Sequence, residues 1–101
     1  MEEQVSALEK LPQGELEAIL LRAKMQMARR EFGPARALLE QTLSSQPGCL
    51  PLLLTLSHVL LREDRDHAAA ERVLLEILAR DPAHAQARQN LEVLRGRASS
   101  A

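Results

Sequence analysis

Three prolines recur at a fixed step along this chain, and that step constrains the fold more than any other feature. Pro12, Pro47 and Pro82 lie 35 residues apart (47 − 12 and 82 − 47). Leu8, Leu43 and Leu78 keep the same step, as do Ala35 with Ala70 and Leu39 with Leu74. The segment Phe32-Gly33-Pro34-Ala35-Arg36-Ala37-Leu38-Leu39 therefore aligns with His67-Ala68-Ala69-Ala70-Glu71-Arg72-Val73-Leu74. Repetition at a step of about 20–50 residues marks a stacked array whose units bury their apolar faces against one another.

The units are helical. Leu, Ala, Glu, Arg and Gln dominate, and no stretch alternates β-branched residues with a period of two. Turn signals fall between the helical stretches, at Pro12-Gln13-Gly14, Gly33-Pro34, Pro47-Gly48, Asp64 to Asp66 and Asp81-Pro82. Pro34 and Pro51 suit the first turn of a helix, where a missing N–H costs nothing, and Asp66 suits an N-cap. The pattern predicts helices near 14–30, 34–45, 51–62, 67–80 and 84–95, with Gly96 closing the last. Short connections make them antiparallel hairpins. Each small Ala lets two helices approach, and the Leu four residues later lies on the same face.

These residues resemble the tetratricopeptide repeat (TPR) family, a helix–turn–helix of about 34 residues. Ala35, Leu39 and Pro47 match its places for Ala, a large apolar residue and Pro in one unit. Ala70, Leu74, Ile77 and Pro82 match them in the next, and Asn90-Leu91 resembles the family's Asn-Leu pair. The resemblance implies an all-α fold, with antiparallel helix–turn–helix repeats stacked as a short right-handed superhelix. Its units are 14–47 and 51–82, a half repeat or capping helix at 84–96, and a polar tail at 97–101. Residues 1–12 correspond to the end of a preceding repeat's second helix, so the array reads as an excerpt or a terminal module. The step of 35 places one extra residue in each linker. Ile19 and Leu54 stand where the family has aromatic anchors. Ala23 keeps the family's small residue opposite the repeat's Ala, whereas His58 replaces it in the second unit and puts the closeness of that helix pair in question.

Composition removes several functions. The chain has 101 residues and 11.2 kDa, enough for one small domain. Thirteen basic against fourteen acidic residues leave a net charge of −1, and the only aromatic of the Phe, Tyr and Trp set is Phe32. Neither a general grip on nucleic acid nor a base-stacking surface follows, and Arg22, Lys24, Arg29, Arg30, Arg88, Arg95 and Arg97 read as solvated faces. The single Cys49 excludes an intrachain disulfide and points to a reducing, cytoplasmic setting. The apolar stretch Cys49–Leu61 is interrupted by Pro51, Thr55, Ser57 and His58 and is too short to span a membrane. The acidic start Met1-Glu2-Glu3 is unlike a signal peptide.

No chemistry is programmed at the level of motifs. His58, His67 and His84 lack the three- or four-residue spacing of a helical metal pair, and Cys49 has no general base beside it. The carboxylates read as caps and solvated faces, and no glycine-rich phosphate loop occurs. The expectation is therefore a non-catalytic domain with no metal and no cofactor.

By the resemblance, the first helices line a concave face that holds an extended peptide or a partner helix. The family's groove places fall on Glu17, Leu20, Lys24 and Met27, then on Leu52, Thr55, Val59 and Arg62. Gln86, Gln89, Asn90 and Val93 follow in the last helix. Only Lys24 and Asn90 suit the family's carboxylate clamp, so that mode is not expected. Protein–protein interaction is the first reading. Two alternatives stand beside it. Leu56-Ser57-His58-Val59-Leu60-Leu61 with Ala68-Ala69-Ala70-Glu71 resembles the TPR tails of bacterial glycosyltransferases, which would make this an accessory region of a larger enzyme. Exposed apolar flanks at the ends could also pair two copies as a homodimer.

Overall fold

The computed structural model describes residues 12–100, and these are organised as five α-helices: α1 (Gln13–Ala28), α2 (Phe32–Ser45), α3 (Leu50–Glu63), α4 (His67–Arg80) and α5 (Ala85–Ser100). The proposed end of a preceding repeat, at residues 1–11, lies outside the described residues. Each helix packs against the next in sequence, and α1 also packs against α3. Connections of three or four residues join helices about 20 Å long, so packed neighbours run antiparallel.

Local chemistry explains the boundaries. Asp66 Oδ1 accepts from Ala69 N–H at 3.0 Å and caps α4, as its residue type predicts. Pro51 occupies the first turn of α3 without loss, because that turn has no intrahelical acceptor to satisfy. Pro34 lies in the first turn of α2, which begins at Phe32 and takes in the Gly33-Pro34 pair. Three turns use positive φ: Arg30 (φ 64°) follows α1, Gly48 (φ 83°) lies between α2 and α3, and Asp64 (φ 60°) ends α3. Asp tolerates that conformation better than most side chains. One boundary departs from expectation. Gly96 does not close α5, which continues through the expected polar tail to Ser100. A glycine costs a helix about 1 kcal/mol relative to Ala and does not by itself end one.

The repeat pattern is reproduced in the packing. Ala35 and Leu39 on α2, and Ala70 and Leu74 on α4, are all fully buried. Leu43 and Leu78 are half-buried against the same core. The centre of the core is α3, which buries Leu52, Leu53, Leu56, Val59 and Leu60 together with Thr55 and Ser57. Both hydroxyls are satisfied within the helix: Thr55 donates to Pro51 O at 2.9 Å and Ser57 to Leu54 O at 2.6 Å. A helix covered on several sides by α1, α2 and α4 needs apolar residues nearly all round, and α3 has them.

Candidate interaction cleft

A cleft of about 610 Å³ has walls that come from α1, α3 and α5. Met27 enters from the last turn of α1. His58, Leu61 and Arg62 come from α3, with Asp64 at its C-cap, and Gln86, Asn90, Val93 and Arg97 from α5. The cleft exists because α5 does not close on α3 in the way that α1 does. At the place equivalent to the buried Ala23, α3 carries His58, and an imidazole stands where the first unit has a methyl group. The bulk anticipated from the sequence thus coincides with the open side of the fold.

Polar groups at the rim are pre-organised. Asp64 Oδ1 accepts from His67 Nε2 at 2.7 Å and from Arg97 Nη1 at 3.4 Å. The His67 hydrogen bond, and secondarily the Arg97 charge, hold the Asp64 carboxyl below the usual aspartate range. Gln86 Nε2 donates to Asn90 Oδ1 at 3.0 Å along α5. His58 is the one cleft group whose charge is suppressed. Partial desolvation by the surrounding walls lowers its pKa from the ordinary histidine value, and the Lys24 ammonium lowers it further. The ring still reaches solvent on the side of the cleft.

Of the expected groove positions, Met27, Arg62, Gln86, Asn90 and Val93 line this cleft. Glu17, Lys24 and Gln89 are exposed but do not line it, and Leu20 is half-buried against the core. Leu52, Thr55 and Val59 differ from expectation: all three are buried within the domain and offer no groove surface. The physical reason is the central place of α3, whose extra neighbours consume the face that a peripheral helix leaves open.

Four cleft residues escaped the sequence reading: His58, Leu61, Asp64 and Arg97. A signal for two of them was present. A strict step of 35 back from Val93 reaches His58, and the series Met27, Arg62, Arg97 (27 + 35 and 62 + 35) keeps that step throughout. The expected positions in the last helix follow a step of 34, which matched Val93 with Val59 and left Arg97 in a tail.

No metal site emerges: among the described residues, no group of three or more His, Cys, Asp or Glu is placed to hold an ion. Cys49 is the residue before α3, half-buried against the core. No described helix is long and apolar enough to cross a membrane. No family model matches this chain, no curated protein matches it, and no solved structure matches it.

Proposed function

We propose that this chain is a TPR-like helical-repeat module that binds a segment of another protein in the α1–α3–α5 cleft and performs no chemistry itself. The observation that carries the reading is the convergence of repeat-equivalent side chains on one concavity. Met27, Arg62 and Arg97 reach it from three alternate helices, and His58 and Val93 from two. An array in which alternate helices share a face offers a continuous track, which suits an extended or helical ligand better than a compact metabolite. The lining supports the same class of ligand. Met27, Leu61 and Val93 supply apolar contact, while Asn90, Gln86 and the arginines supply polar contact along the track. Met27 adds an unbranched side chain that adapts to differently shaped partners.

A displayed peptide library selected on the wild-type domain tests this. Selected peptides should bind Met27→Glu and Val93→Glu at least about tenfold more weakly, a loss of about 1.4 kcal/mol. Val93→Glu should keep the wild-type far-ultraviolet circular dichroism, because Val93 is exposed; Met27 is half-buried against the core, so Met27→Gln serves as the milder variant at that place. Peptides that bind wild type and both variants alike would place the binding surface elsewhere and refute the assignment.

A further inference from the structure

A second, charged depression adjoins the cleft. It has a volume of about 350 Å³ and is lined by Arg30, Phe32, Gly33, Arg62, Glu63 and Arg65. Arg62 lines both hollows, so the two meet at its side chain. Arg30 lies in the turn after α1 and Arg65 in the turn after α3, one repeat step apart (30 + 35). Stacking of the units brings the two turns to one end of the domain. Three arginines against Glu63 give the lining a formal charge of +2 (3 − 1), on a chain whose net charge is −1. None of these four groups makes an ion pair among the described residues. The neighbouring carboxylates are engaged elsewhere. Asp64 accepts from His67 and Arg97, and Asp66 caps α4 and accepts from Arg36. Glu31 lines a separate hollow along α1. Arg30 holds φ at 64°, which Gly, Asn or Asp adopts at lower cost, so the turn itself gains nothing from an arginine there.

We propose that this depression is an acid-binding subsite of the α1–α3–α5 cleft, taking a pair of adjacent Asp or Glu side chains of the protein segment bound there. The inference rests on the peptide-binding reading of the cleft and adds the charge that its ligand carries. Two carboxylates on neighbouring residues balance the +2 of the lining, and guanidinium groups pair with carboxylates through parallel N–H···O bonds. The shared Arg62 sets the order along the ligand. An apolar stretch lies against Met27, Leu61 and Val93, and the acidic pair follows at one end. Because the chain as a whole is slightly acidic, this local charge selects a ligand by position and not by general attraction. Lys24 and Asn90 do not line the depression, so it is not a clamp built from those two residues. A nucleic-acid strand fits less well, because Phe32 is the one aromatic side chain of the Phe, Tyr and Trp set and is half-buried against the core.

Peptides selected from a displayed library on the wild-type full chain test it, with affinities measured on Arg30→Asn, Arg65→Gln and Val93→Gln. Arg30 and Arg65 line the depression alone, and Val93 the cleft alone. Selected peptides should carry an acidic pair at one end of an apolar stretch. They should bind Arg30→Asn and Arg65→Gln each about threefold more weakly, and the double variant about tenfold more weakly. Replacing the acidic pair by Asn or Gln should cost the same factor on the wild type and nothing on the double variant, a coupling that a merely structural effect does not produce. Arg30→Asn should keep the wild-type melting temperature, because Asn accepts positive φ. Peptides that weaken on Val93→Gln but bind the arginine double variant like wild type overturn this inference and leave the cleft reading standing. Peptides that weaken on the arginine variants alone overturn the cleft reading and leave an acid-binding site apart from it. A selection whose peptides respond to neither change overturns both. Single-stranded RNA that binds the wild type and is lost in the double variant, with no acidic peptide selected, overturns the inference by assigning the depression to nucleic acid.

Discussion

Arg36 on α2 donates from Nη2 to Asp66 Oδ2 at 3.2 Å, and the other oxygen of the same carboxylate caps α4 through Ala69. One side chain therefore both starts a helix and ties it to the preceding hairpin. Arg36 is braced in turn by Glu40, one turn along α2, at 2.9 Å. The Ala69 hydrogen bond, and after it the Arg36 interaction, hold the Asp66 carboxyl below its ordinary value.

Asp66→Ala should therefore lower the melting temperature measurably at neutral pH, and Asp66→Asn should recover part of the loss, because Asn keeps the cap but not the charge. A carboxyl with a lowered folded-state pKa contributes stability that is present above its unfolded value of 3.8 and is lost as pH falls through the folded value. The gap between wild type and Asp66→Asn should therefore close in acid. Melting curves across that range check it, and a gap independent of pH would contradict the assignment.

His58 acts in the same direction at a higher pH. Its lowered pKa means the unfolded chain binds a proton more readily than the folded one. The folded state should lose stability as pH falls from the unfolded value of 6.5 toward the folded one, and His58→Gln should remove that component. Titration of the His58 ring by NMR should give a midpoint below the ordinary value, moving upward in Lys24→Ala. A midpoint unmoved by Lys24→Ala would show that the ammonium does not act on the ring.

Truncation of the repeat leucines should be severe and equal in kind. Leu39 and Leu74 occupy equivalent, fully buried places. Each change to Ala should cost about 2–5 kcal/mol, from the lost transfer energy and the cavity left behind. Denaturant unfolding measures this, and a loss below about 1 kcal/mol at either site would contradict its place in the core.

Gly48 is the glycine whose backbone the fold specifies, with φ at +83° in the turn between α2 and α3. A methyl added there would meet the Arg80 guanidinium as well. The far end of an arginine can move aside, so the backbone sets the cost. Gly48→Ala should destabilise by about 1 kcal/mol or slightly more. Gly33→Ala, inside the first turn of α2 with open space around it, should be neutral or mildly stabilising.

The sequence by itself determined the helices and their pairing order, because both follow from short-range physics repeated at a fixed step. Helical periodicity located all five elements, Asp66 announced its cap, and the alignment of Ala35 and Leu39 with Ala70 and Leu74 identified four buried positions. Tertiary structure decided which faces remained open. Val59 and His58 are adjacent, and periodicity alone could not say which would face the cleft. That choice depends on α3 having neighbours on several sides and α5 having only α4 as its principal one. Leu21 and Leu56 are likewise the same residue at equivalent places, yet one is exposed and the other buried. Burial is a property of what packs against a face, and a residue's own chemistry specifies only that the face is apolar.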